Sequence, residues 1–178
     1  MKKTVFFCLL LLAIGRITFA ASDKIDPEQY ICAEYLTTIS IEHAPPLFEG
    51  LQIDGYASAK ANVAIADSRI LPSLMLEVYA LCQSQPEAKV LPLWQQVRNR
   101  LPKAKDSLWR ADKTSCEAYN VDPNNGSGFV IWLDGYNRGQ TGSQASVLTS
   151  DIDLNAFFEG CKREPQALMR DVMRKYAH

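Results

Sequence analysis

An internal duplication constrains this chain more than any other feature. Cys32-Ala33-Glu34-Tyr35, Asp54-Gly55-Tyr56 and Cys82-Gln83-Ser84-Gln85-Pro86 return in the same order as Cys116-Glu117-Ala118-Tyr119, Asp134-Gly135-Tyr136 and Cys161-Lys162-Arg163-Glu164-Pro165. The tyrosine lies 26 residues before the second cysteine in one copy and 25 in the other, and the proline follows that cysteine by four in both. Four anchors in register are more than chance supplies, so the chain is expected to build one small structure twice. Units of this size bury too little surface to be stable without a disulfide, a metal or a partner.

The N-terminus indicates which of these staples is used. Lys2 and Lys3 precede an apolar run from Val5 to Ile14, and Thr18-Phe19-Ala20 places small residues where a signal peptidase reads. Residues 1–20 are therefore expected to be a secretory signal peptide, cleaved after Ala20 and taking Cys8 with it. The run is shorter than the roughly 18 to 20 residues that span a bilayer, and Arg16 follows it closely, so no membrane association is expected after cleavage. The remaining 158 residues hold Cys32, Cys82, Cys116 and Cys161, an even set in an exported chain, which reads as disulfides. Zinc would need closely spaced ligands, yet no cysteine pair is close and the only histidines are His43 and His178. Four cysteines allow three pairings, and their positions alone do not choose among them.

Each copy reads as helices, the first over 21–102 and the second over 114–178, with 103–113 as a polar linker in which Leu108 and Trp109 pack. In the first copy, Asp26-Pro27-Glu28-Gln29 reads as a helix start, with Tyr30, Ile31, Tyr35 and Leu36 following and Ala44-Pro45-Pro46 as the stop. A second helix carries Phe48, Leu51, Ile53, Tyr56 and Val63; its Gly50 and Gly55 weaken it unless another helix approaches closely there. A third starts near Pro72 and buries Leu74, Met75, Val78, Tyr79 and Cys82. The fourth carries Val90, Leu93, Trp94 and Val97, with Pro92 expected to delay or kink it.

In the second copy the first helix is short, because Asp122 to Gly128 reads as a flexible turn-rich loop. Ser127 then caps a helix bearing Phe129, Trp132, Leu133 and Tyr136, ended by Gly139 and Gly142. Asp151 or Asp153 caps a third helix with Leu154, Phe157, Phe158 and Cys161, and Pro165 opens a fourth with Leu168, Val172 and Tyr176. Leu74 to Leu81 and Phe129 to Leu133 could be short buried strands by periodicity alone, but no hairpin signal joins them. The expected class is all-α.

Charge and chemistry narrow the function. Removing Lys2, Lys3 and Arg16 leaves 16 basic against 20 acidic residues, so no basic excess exists to hold nucleic acid. Near pH 2 the carboxylates are neutral, and the basic groups, two histidines and the amino terminus sum to about +19. His43 reads as a solvated helix-end residue and His178 is the last residue, so no serine or cysteine nucleophile has a positioned base. Asp54 and Asp134 read as surface carboxylates. Neither an enzyme nor a cofactor is indicated. Pro46-Leu47-Phe48 and Phe129-Val130-Ile131-Trp132 occupy equivalent places in the copies, which makes Leu47, Phe48, Leu51, Phe129, Val130 and Trp132 candidates for an apolar contact between the copies or with another chain.

The second copy, with Cys116 opening a helix, Val130-Ile131-Trp132-Leu133-Asp134-Gly135-Tyr136 in its middle and Cys161 followed by Pro165, resembles the HdeA/HdeB family of periplasmic acid-stress chaperones, and the first copy resembles it more weakly. The resemblance implies two tandem four-helix units with one disulfide each, Cys32 to Cys82 and Cys116 to Cys161. It further implies a periplasmic, ATP-independent chaperone that exposes apolar surface in acid and binds unfolded or partly folded periplasmic proteins. Family members pair as dimers near neutral pH, so two copies in one chain imply an internal pseudo-dimer, or a homodimer of the whole chain. Two departures stand out: family members carry one unit per chain, and Gln52 occupies the place of Trp132. The alternative function is an exported helical immunity protein of Rap/Tai type that neutralises a secreted toxin enzyme.

Overall fold

A computed structural model describes residues 25–38, 45–102, 109–121 and 123–178, apart from the side chains of 121, 123–125 and 127. The expected signal peptide, His43, Leu108 with the rest of 103–108, and Asp122 lie outside these residues. Among them the chain forms eight α-helices and no strand: α1 Cys32–Thr37, α2 Leu47–Lys60, α3 Leu71–Ser84, α4 Val90–Arg98, α5 Cys116–Val121, α6 Pro123–Thr141, α7 Asp151–Arg163 and α8 Met169–Tyr176. Disulfides join Cys32 to Cys82 and Cys116 to Cys161, tying α1 to α3 and α5 to α7. Each closes a loop of 50 or 45 residues, worth about 4 kcal/mol apiece on a chain-entropy account.

The backbone repeats itself along with the sequence. Cys32 N donates to Ala88 O (2.8 Å), Ala33 N to Pro86 O (2.8 Å) and Val90 N to Tyr30 O (3.0 Å). In the second half Cys116 N donates to Ala167 O (3.0 Å), Glu117 N to Pro165 O (2.7 Å) and Met169 N to Thr114 O (3.0 Å). The short antiparallel pairings of Ile31 with Lys89 and of Ser115 with Leu168 set both patterns.

These pairings correct the expected start of the first helix. Asp26 to Gln29 forms a separate turn, with Gln29 N and Tyr30 N donating to Asp26 O. The backbone around Ile31 is then extended to meet Lys89, and α1 begins only at Cys32, where the Glu34 carboxylate accepts from Ile31 N at 2.9 Å. Val63 lies beyond the end of α2. Pro92 neither delays nor kinks α4, because it sits in the first turn, where a backbone N–H has no helical acceptor to lose. Ser150, rather than Asp151 or Asp153, caps α7, its hydroxyl accepting from Asp153 N at 3.2 Å. Pro165 lies in the turn ahead of α8.

The largest correction concerns the expected loop at 122–128, because the backbone is helical from Pro123, four residues before Ser127. Proline suits a first helical position, and Gly126 lies close against the rings of Tyr119 and Trp109 despite glycine's poor helix propensity. A Cβ at Gly126 would fall 2.5 Å from the Tyr119 ring, so a bulkier helix former there would push α6 off the aromatic cluster beneath it. Gly139 lies inside α6, which ends at Gly142 with φ of 68°.

Two apolar clusters result, one around Trp94, Tyr35, Leu74 and Val78, the other around Trp132, Phe157, Leu133 and Met173. The linker residue Trp109 packs as expected, stacked on Phe129 with ring centroids 5.4 Å apart. The chain beyond it also returns to the first half, where Ala66 N donates to Trp109 O (3.0 Å) and Ala111 N to Ala64 O (2.8 Å).

Candidate functional site

The two halves meet where α2 crosses α6, the most extensive helix pair among the described residues. The Asp-Gly-Tyr motifs sit at the crossing. A Cβ on Gly55 would lie 1.9 Å from the Trp132 carbonyl oxygen, and one on Gly135 would lie 2.1 Å from that of Gln52. Gln52 and Trp132 each precede their glycine by three residues, so each half places its glycine against the same position of the other. This is the reciprocity of a two-fold interface, here within one chain.

Asp54 and Asp134 correct a second expectation, for neither is on the surface: they are 2% and 1% exposed. Each accepts a hydrogen bond across the crossing from the residue opposite, Asp54 from Trp132 Nε1 at 2.9 Å and Asp134 from Gln52 Nε2 at 3.5 Å. Asp54 also accepts from Trp94 Nε1 at 3.0 Å and is paired with Arg98, which reaches it from the end of α4. Asp134 is met by Val147 N at 3.1 Å. One buried carboxylate thus gathers two indoles and a guanidinium, with donors from both halves. Buried charge is tolerated only where such donors replace water.

Arg138, one turn beyond Asp134, is also buried; it donates to Ile25 O and Gln144 Oε1, and burial pushes its guanidinium below the usual arginine range. A cavity of about 110 Å³ borders Asp54, walled by Leu51, Asp67, Ser68, Phe129 and Trp132 among others.

The apolar candidates divide between the crossing and the surface. Phe129, Val130 and Trp132 are buried in the second core, and Phe48 crosses from α2 to pack against it. Leu47 is 60% exposed, and Leu51 is half-buried between the halves. Leu47 and Leu51 line a groove of about 540 Å³ with Leu71, Pro72, Met75 and Leu76. Phe48 and Val130 line a second groove of about 300 Å³ with Ile131, Leu154 and Phe158.

Sequence reasoning missed Trp94, Arg98 and Gln52 as partners of the acids. The i, i+4 spacing of Trp94 and Arg98 on α4 was the available signal, since both face one point. His178 lies 4.0 Å from Asp153.

No family model, curated protein or solved structure matches this chain.

Proposed function

We propose that this protein is an exported, ATP-independent chaperone of HdeA/HdeB type, made of two tandem helical units whose contact loosens in acid to offer apolar surface to unfolded proteins. The observation that carries this reading is Asp54, a buried carboxylate held by donors from both halves at the crossing of α2 and α6. While charged, it compensates Arg98 and organises both indoles. In acid the carboxylates of the chain as a whole are neutralised and the chain becomes strongly positive, so repulsion acts on two halves whose contact is built around charged groups. The disulfides lie within the halves and would keep each half compact while the crossing opens.

Light scattering of an acid-labile client between about pH 2 and 4, with and without the oxidised protein, tests this. Suppressed aggregation is the expected result, and none anywhere in that range rejects the reading.

The immunity-protein alternative draws support from the groove bearing exposed Leu47 and Leu76, which is open in the folded state. A tight complex with one enzyme, unchanged by pH, would favour it.

A further inference from the structure

The two surface grooves lie at corresponding places in the two halves and share part of their lining. Leu51, Leu71, Pro72 and Met75 of the first correspond, through the duplicated sequence, to Ile131, Ser150, Asp151 and Leu154 of the second. Each groove is completed by one residue from the opposite long helix, and these two also correspond: Phe48 from α2 closes the second groove, and Gly128 from α6 borders the first. The groove that lacks the aromatic ring is the larger of the two. With Phe48 present the groove holds about 300 Å³, and with glycine in its place about 540 Å³. Steric need does not impose the glycine. A Cβ at 128 would make ordinary contact with Leu51, at 3.4 and 3.8 Å, with nothing else within 4 Å.

The fold therefore displays what such a groove accepts, an aromatic side chain presented by a neighbouring helix. We infer that the first groove is a binding site, open in the folded protein, for a phenylalanine-bearing apolar segment of another protein. That segment's ring takes the position that Phe48 holds in the second groove. The first groove's lining is apolar apart from Ser68, which matches an uncharged segment, and exposed Leu47 and Leu76 form its rim. The site does not depend on acid opening of the crossing.

The test uses the oxidised, signal-free chain at pH 7 and a fluorescein-labelled peptide, Ser-Ala-Leu-Phe-Leu-Ala-Ser, followed by anisotropy. One peptide should bind per chain, and replacing its phenylalanine by alanine should weaken binding at least tenfold. Gly128→Phe should abolish binding by filling the groove from within, and Leu76→Asp, a rim change on an exposed position, should weaken it at least tenfold without altering the helical circular dichroism. Phe48→Ala should raise the stoichiometry to two by emptying the second groove. Equal binding of the alanine peptide overturns the inference, as does unchanged binding by a folded Leu76→Asp protein. Sedimentation showing the groove filled by a second copy of the chain also overturns it. Acid-dependent chaperoning can fail while this binding stands, and the reverse, so the two proposals are separately testable.

Discussion

Gly55→Ala should destabilise the protein although alanine is the better helix former. In an isolated helix the change is worth about 1 kcal/mol in favour of alanine. At this position the added carbon would lie 1.9 Å from the Trp132 carbonyl oxygen, 2.8 Å from Tyr136 N and 2.9 Å from Trp132 C. All three obstacles are backbone atoms in the middle of α6, which cannot turn aside as a side-chain tip would. Normal contact requires the helices to part by about 1.3 Å or more, which loosens both cross-helix hydrogen bonds to Asp54 and Asp134 and the packing on either side. Overpacking of this kind costs typically 1–3 kcal/mol, and rigid backbone places it at the upper end. With the propensity gain set against it, a net loss of about 2 kcal/mol is expected, which lowers Tm by roughly 4–8 °C for a chain of this size. Gly135→Ala, facing Gln52 O at 2.1 Å, should behave alike, whereas Gly128→Ala should be neutral or slightly stabilising. Thermal and urea unfolding of the three oxidised variants at pH 7, followed by circular dichroism, gives the comparison. A Gly55→Ala protein as stable as its parent would refute the account of the crossing as a backbone-limited contact.

Asp54→Asn keeps the shape but leaves Arg98 without its counter-charge, and should lower stability at pH 7 by roughly 3 kcal/mol and raise apolar-dye fluorescence at neutral pH. Tyr35 is fully buried with no hydrogen-bond partner for its hydroxyl among the described residues, so Tyr35→Phe should raise unfolding stability by about 1 kcal/mol in a urea titration. Burial pushes the Glu49 carboxyl above its ordinary 4.5, so its contribution is fully favourable below that value and is lost as pH rises through the shifted one; Glu49→Gln should be more stable than the parent at pH 7, with the gap closing in acid in a stability-against-pH series. Asp112 has the opposite sign: its hydrogen bond with Arg110 holds the carboxyl below 3.8, and its contribution, present above that value, disappears as pH falls through the lowered one, so Asp112→Asn should lose its penalty below that range.

The parts of the fold that were legible in the sequence rest on spacing and covalent chemistry. Repeated anchors and an even set of cysteines after residue 20 pointed to a duplicated, disulfide-bonded helical molecule, and the apolar positions of α3, α4 and α8 showed at helical intervals. The errors fall where a residue's state is decided by partners far along the chain. Asp54 looks like a surface acid because Trp94 and Trp132, 40 and 78 residues away, are what make its burial tolerable. Residues 123–128 look like a loop because asparagine and glycine disfavour helix locally, and only the aromatic cluster of Trp109, Tyr119 and Phe129 reveals why small residues are needed there. The extended backbone at Ile31 is likewise set by Lys89, which no local pattern announces.

Neither cystine reaches over the junction of α2 with α6. A parting of the two lobes of the kind proposed would accordingly leave every sulfur bond intact and need no redox partner. Because the chain running through Trp109 keeps them on one leash, closure is a first-order event whose rate is indifferent to dilution. A device wired this way would reset itself wherever a single molecule is left.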